Sequence, residues 1–146
     1  MNYFLENATE QDLHRLIKYK LNTILEYAKD ISKEEKNRIN SYVNTEIPKQ
    51  LVYYKIIRIN SIIIGCVLVK KYKDGVLLDE IYIEDKYRNR GIGTDIVKNI
   101  LKDNKKVYLF VYKDNYLAYN LYKKLGFLVI ESTESRYFME YVGGLV

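Results

Sequence analysis

Two arginines and two glycines stand within six consecutive residues, Arg88-Asn89-Arg90-Gly91-Ile92-Gly93. Glycine lets a backbone turn tightly or come close to a ligand. The apolar spacing that follows, Ile96, Val97, Ile100 and Leu101, predicts a helix over Gly93 to Lys102. The first turn of a helix leaves N–H groups without partners at the positive end of its dipole. The loop therefore suits an anion, phosphate foremost, and Arg88 and Arg90 add charge and donors. A Gly-x-Gly before a helix also serves as a tight turn alone. A dinucleotide fingerprint would need a third glycine where Asp95 and Ile96 stand, and a P-loop would need Gly-Lys-Ser/Thr. Asp95, an acid in the first helical turn, opposes a phosphate there unless it points away.

Two more constellations carry chemistry. Asp79 and Glu80 are adjacent carboxylates in a β-rich run. Strict alternation puts Leu77, Asp79, Ile81 and Ile83 on one face and Leu78, Glu80 and Tyr82 on the other, so one carboxylate at most faces a given pocket. Further on, Asn115, Ala118, Tyr119 and Tyr122 fall at i, i+3, i+4 and i+7, one stripe of a helix. That stripe lines a groove with an amide, a small residue and a phenol, while Leu117, Leu121 and Leu125 form the neighbouring stripe, expected to face the sheet. From spacing alone Tyr122 reads first as a half-buried packing residue.

The elements that must position these groups follow from local signals. Tyr3 to Glu6 reads as a strand. Thr9 with Asp12 offers a capped helix start, continued by Leu13, Leu16, Ile17, Leu21, Ile24 and Leu25. A second helix is predicted from Ser32 to about Val43, with Pro48 closing the helical region. Strands follow at Leu51 to Ile59 and Ile62 to Lys70, joined at Asn60-Ser61 as a hairpin. Another runs from Val76 to Ile83 after the Asp74-Gly75 turn. The helix from Gly93 leads to a strand at Val107 to Val111. A helix from Asn115 to Leu125 is stopped by Gly126. Leu128 to Glu131 and Arg136 to Tyr141 complete the order β-α-α-β-β-β-α-β-α-β-β. Strand-helix-strand units with hairpins predict a mixed sheet flanked by helices, an α/β (α+β) fold.

The 146 residues suggest one domain over 1–146. With 48% hydrophobic and 29% charged residues the composition is that of a globular protein. Its longest apolar run, Ile62 to Val69, is too short to span a bilayer, and the N-terminus lacks the pattern of a signal peptide. Cys66, the one cysteine, reads as a small buried hydrophobe. These features point to the cytoplasm and away from a membrane. The net charge of +5 is spread along the chain and forms no basic stripe, which argues against a nucleic-acid partner. No Cys/His cluster suggests a metal, and His14 reads as a surface residue.

Arg88-x-x-Gly91-x-Gly93 after Ile81-Tyr82-Ile83 resembles the acyl-CoA-binding motif of the GCN5-related N-acetyltransferases (GNAT). A second block, Val111-x-x-x-Asn115-x-x-Ala118-x-x-Leu121-Tyr122-x-x-Leu125-Gly126-Phe127, resembles the helix that flanks the cofactor in that family. The opening Phe4 to Asp12 is similar as well. Asp85 and Asn89 depart mildly from the family pattern, which often has proline and glycine there.

The resemblance implies a GNAT fold whose sheet splays open between the strands ending at Ile83 and Val111. It implies acetyl-CoA as co-substrate, its pantetheine arm pairing with backbone near Ile81 and Ile83 and its pyrophosphate on amides of Arg88, Asn89, Arg90, Gly91, Ile92, Gly93 and Thr94. Asn115, Ala118, Tyr119 and Tyr122 would flank it. It further implies transfer of an acetyl group to a primary amine by direct attack in a ternary complex. Tyr122 would be the acid for the leaving thiolate, Glu80, Asp79 or Glu84 the base, and a backbone N–H near Ile83 the stabiliser of the thioester oxygen. The acceptor, a small molecule or a protein, carries no readable motif, and a homodimer is common in the family. Two other readings stand beside it: a degenerate acyl-CoA-binding sensor or regulatory module, and a small basic nucleic-acid-binding protein.

Overall fold

In the computed structural model, residues 2–143 are described. The strands are β1 (Phe4–Asn7), β2 (Tyr54–Ile59), β3 (Ile62–Tyr72), β4 (Gly75–Ile83), β5 (Lys106–Tyr112), β6 (Leu128–Ser132) and β7 (Arg136–Val142). The helices are α1 (Leu13–Tyr27), α2 (Lys33–Gln50), α3 (Ile92–Asp103) and α4 (Tyr116–Lys124). Their order is the predicted one, and together they make a mixed sheet flanked by helices, as expected.

Local chemistry explains most boundaries. The Thr9 N–H donates to the Asp12 carboxylate at 2.8 Å, opening the turn that leads into α1. Ser32 accepts from the Glu35 N–H at 3.1 Å and caps α2. Asn60 takes φ +56° in the β2–β3 turn, a left-handed conformation that asparagine tolerates. Gly126 takes φ +107° after α4, and the Phe127 N–H returns to the Tyr122 carbonyl at 3.0 Å, closing the helix. Two boundaries differ from expectation: β2 begins at Tyr54 and not at Leu51, because Leu51–Tyr53 form a 3-10 turn, and α2 ends later than expected. Pro48 does not close the helical region; it lies inside α2, which runs on to Gln50. Val43 and Ile47 are buried one turn apart, and that packing carries the helix past the proline.

The seven strands form one sheet in the order β1-β2-β3-β4-β5-β7-β6. All neighbours are antiparallel except β4 and β5, which the α3 crossover makes parallel. Helices α1 and α2 cover one face, where Leu16, Tyr19, Val43 and Ile47 pack on Tyr54, Ile56, Cys66 and Leu68. Helices α3 and α4 cover the other, with Ile92, Ile96, Val97 and Tyr122 packed on Val67, Leu78, Val107, Leu109 and Met139. No helix among the described residues is long and apolar enough to cross a membrane.

Two features of β4 shape everything that follows. Its pairing with β5 covers only Val76↔Val107, Leu77↔Tyr108 and Leu78↔Leu109, after which the two strands part. At the same level the register against β3 slips: Val69 faces Leu78 and Leu68 faces Glu80, leaving Asp79 as an extra residue. The bulge corrects the expected alternation. Leu78 packs with Ile81 and Ile83 on the α3/α4 face, and Leu77 packs with Tyr108 and Phe138 on the other. Glu80 and Tyr82 keep their expected common face, toward α1 and α2. An inserted residue resets the two-residue period, which a sequence pattern does not announce.

Candidate active site

The parted strands open a cavity of about 570 Å³ that reaches through the sheet. Helices α1 and α2 contribute Lys20, Thr23, Tyr42, Glu46 and Ile47 to its wall, and β5 contributes Leu109, Phe110 and Tyr112. Glu80 enters it from the α1/α2 face and Tyr122 from the α4 face. Its size lies in the range of small-ligand sites.

Glu80 is the one charged residue among the buried ones described, 7% exposed. Tyr54 donates to its Oε1 at 2.6 Å, the Cys66 thiol lies 3.4 Å from its Oε2, and the Lys20 ammonium stands 3.7 Å from Oε1. Burial raises its pKa above the ordinary carboxylate value, against the opposing pull of Lys20 and of the Tyr54 and Cys66 hydrogen bonds. Cys66 is buried as expected, but its thiol belongs to this polar cluster. The other two candidate carboxylates are engaged elsewhere. Asp79 is paired with Lys70 at 3.0 Å. Glu84 accepts a short hydrogen bond from the Tyr19 hydroxyl and faces Arg15 at 3.5 Å, outside the cavity lining.

Tyr122 is 7% exposed, and its hydroxyl has no hydrogen-bond partner among the described residues. Burial alone pushes its pKa up to about 12. The rest of the α4 stripe sorts differently from expectation. Asn115 is the N-cap, its side-chain oxygen accepting from the Ala118 N–H at 3.3 Å. Tyr119 packs at a tilt against Tyr137 with ring centroids 4.8 Å apart. The face of α4 that packs on the sheet is Ala118, Tyr119, Tyr122 and Leu125, whereas Leu117 is 82% exposed. Of the expected leucine stripe, Leu125 does pack on the sheet side and Leu117 does not. The bulk of the tyrosines fills the space above β5 and β7, turning Leu117 outward.

On β4, the Glu84 N–H donates to the Ile64 carbonyl at 2.8 Å. Alternation then directs the backbone groups of Glu80 and Tyr82 toward β3 and those of Ile81 and Ile83 the other way. Past Leu78 there is no β5 to receive them, so they edge the cleft. The Ile83 carbonyl is taken by the Arg88 Nε–H at 2.5 Å.

The loop after β4 presents the start of α3. Gly91 is the N-cap at φ +83°, and a Cβ built there meets no atom within 4 Å. Asn89 is also left-handed, at φ +62°. The first backbone bond of the helix runs from Asp95 N–H to the Gly91 carbonyl, so the N–H groups of Ile92, Gly93 and Thr94 have no carbonyl one turn back. Asp95 does not oppose an anion here, because its carboxylate is turned to accept from the Tyr3 hydroxyl at 2.6 Å. Arg88 is held by Asp85 at 2.6 Å and lies over the Tyr82 ring, so it braces the loop. The Arg90 guanidinium lies over the Tyr87 ring, 5.5 Å from its centroid.

Comparison with known proteins agrees with this geometry. The model of the acetyltransferase (GNAT) family matches residues 21–127, and the chain belongs to that family. None of the curated proteins matches it significantly in sequence. Among solved structures it resembles PaiA N-acetyltransferase of Thermoplasma acidophilum in complex with coenzyme A, at 21% identity and a TM-score of 0.77, covering 98% of this chain and all of that one. It also resembles the apo form of YjaB of Escherichia coli, at 18% identity and a TM-score of 0.74, covering 99% and 100%. Arabidopsis thaliana Naa50 in complex with the bisubstrate analogue CoA-Ac-MVNAL is a further likeness, at 20% identity and a TM-score of 0.64, covering 98% and 100%.

Proposed function

We propose that this protein transfers an acetyl group from acetyl-CoA to a primary amine by direct attack within a ternary complex. The observation that carries the reading is the cavity through the parted strands, with one buried carboxylate and one buried phenol in its wall. The residues present fit the co-substrate. The open ground above Gly91 and the N–H groups of Ile92, Gly93 and Thr94 suit a pyrophosphate. The backbone edge at Ile81, with the Ile83 N–H, suits an extended amide-bearing arm, and Ala118 with Tyr119 and Asn115 would flank it.

Acetyl-CoA supplies an activated thioester carbonyl. Glu80 takes the proton that an ammonium must lose before its nitrogen can attack, directly or through water. The raised pKa of a buried carboxylate makes it a better base than an exposed one. The Ile83 N–H faces the cleft and would donate to the carbonyl oxygen as charge develops there. Tyr122 delivers its proton to the departing sulfur. Asp79 and Glu84, each held in another ion pair, take no part in this assignment. The rival sensor reading would leave Glu80 and Tyr122 in the cavity without a task.

Calorimetric titration of acetyl-CoA into the protein, with Gly91→Glu beside it, tests the reading. Micromolar binding by the wild type and none by the variant is expected. A folded wild-type protein that does not bind acetyl-CoA would sink the proposal.

A further inference from the structure

Five charged side chains line the cavity: Lys20, Glu46, Asp79, Glu80 and Arg136. Four have an opposite charge beside them. Lys20 stands 3.7 Å from Glu80, Glu46 is 3.1 Å from Lys49, and Asp79 is 3.0 Å from Lys70. Arg136 has no acidic partner among the described residues. Its guanidinium lies over the Phe110 ring instead, 4.7 Å from the centroid, and its side chain makes no hydrogen bond among them.

The sheet decides which substrate this cation meets. On β7, Tyr137 packs against Tyr119 of α4, so Arg136 and Phe138 project to the opposite face, as Glu80 does. Phe110 and Phe138 stack at 4.6 Å on that face. Arg136 therefore stands on the α1/α2 side of the sheet, away from the α3 N-terminus and its anion cradle. A cation partly withdrawn from water with its donors unspent is costly until an anion meets it. A guanidinium presents its N–H donors as a planar fork, the shape that a carboxylate fills with two parallel hydrogen bonds. A phosphate dianion would call for more than one free cation, and Lys20 is already engaged by Glu80.

Resting on the acyl-transfer reading, we propose that the acceptor amine carries a carboxylate and that Arg136 binds it. Glu80 on β4 and Arg136 on β7 are two strands apart, and because β4 and β5 have parted at this level they stand farther apart than the about 10 Å of ordinary strand spacing. The acceptor is thus an amino acid or short peptide with a free carboxyl group, its amine toward Glu80 and its carboxylate toward Arg136. A bare alkylamine or polyamine offers nothing to the second group.

The test is steady-state acetylation of a panel of free amino acids and dipeptides, each beside its methyl ester, by the wild type, Arg136→Gln and Arg136→Lys. Expected for the wild type is a preference for the free acid of tenfold or more in kcat/KM, carried by KM. Arg136→Gln should lose that preference while treating the ester as the wild type does, and Arg136→Lys should keep part of it. Equal use of acid and ester, a preference that survives in Arg136→Gln, or turnover of no carboxylate-bearing amine overturns the inference. Acetyl-CoA calorimetry on the same preparations separates the two readings. If the cofactor binds while the carboxylate preference fails, only the acceptor assignment falls; if it does not bind, the acyl-transfer reading falls with it.

Discussion

Glu80 and Tyr122 belong to opposite faces of one sheet and still line the same cavity. A continuous sheet would keep them apart. Here β4 and β5 stop pairing at Leu78↔Leu109, and the gap lets a carboxylate from the α1/α2 side and a phenol from α4 meet a common ligand. The bulge at Asp79 falls at the same level and aims Glu80 into the opening.

Tyr122→Phe removes the hydroxyl and keeps the ring that packs beside Phe127. Turnover should fall by about 10²-fold, the lower end of general-acid contributions. Acetyl-CoA affinity by calorimetry should stay within about twofold, as expected for a group that acts on the leaving sulfur. A variant that loses binding and keeps its rate per bound cofactor would show that the phenol is a packing residue.

Glu80→Gln should abolish most turnover, and the wild-type pH profile should report the same group. Burial raises the Glu80 pKa in the folded protein, so activity should fall with acid at a pH above the ordinary carboxylate range. Lys20→Met removes the charge that opposes this rise and should move the acid limb to higher pH. The stability sign is the reverse of an ion-paired surface acid. The folded state binds the proton more tightly than the unfolded one, so stability is lost as pH rises through the window between the two pKa values. Thermal melts of Glu80→Gln should show a shallower loss over that window than the wild type; identical slopes would mean that Glu80 carries no such penalty.

Asp79→Asn should leave kcat/KM within about twofold, because its carboxylate is spent on the partly exposed Lys70 and surface pairs contribute little. A loss as large as that of Glu80→Gln would transfer the base assignment to Asp79.

Asn115→Ala should lower stability by about 1 kcal/mol through loss of the α4 cap. Urea unfolding reads this directly. Since α4 carries Tyr122, a modest drop in turnover should accompany it, with acetyl-CoA still bound.

Much of this was legible along the chain. Helix and strand order follow from apolar spacing, caps and turn residues, which are local. The Thr9–Asp12 start, the left-handed Asn60 and Gly126, and the Gly91 N-cap all behave as their residue types dictate. The pairing of a glycine loop with a later tyrosine helix was visible as two blocks in order. Tertiary contacts decided the rest. The Asp79 bulge depends on how β3 meets β4, and so does the reversal of Leu77 and Leu78. Leu117 lies in solvent because Tyr119 and Tyr122 fill the sheet-facing space, an outcome no hydropathy pattern ranks. Tyr54, Lys20 and Cys66 converge on Glu80 from three separate segments, and Arg136 reaches the cavity from the start of β7. Local signals act through the backbone of a few neighbouring residues; the charge states and partners of a site depend on groups brought together only when the sheet closes around its helices.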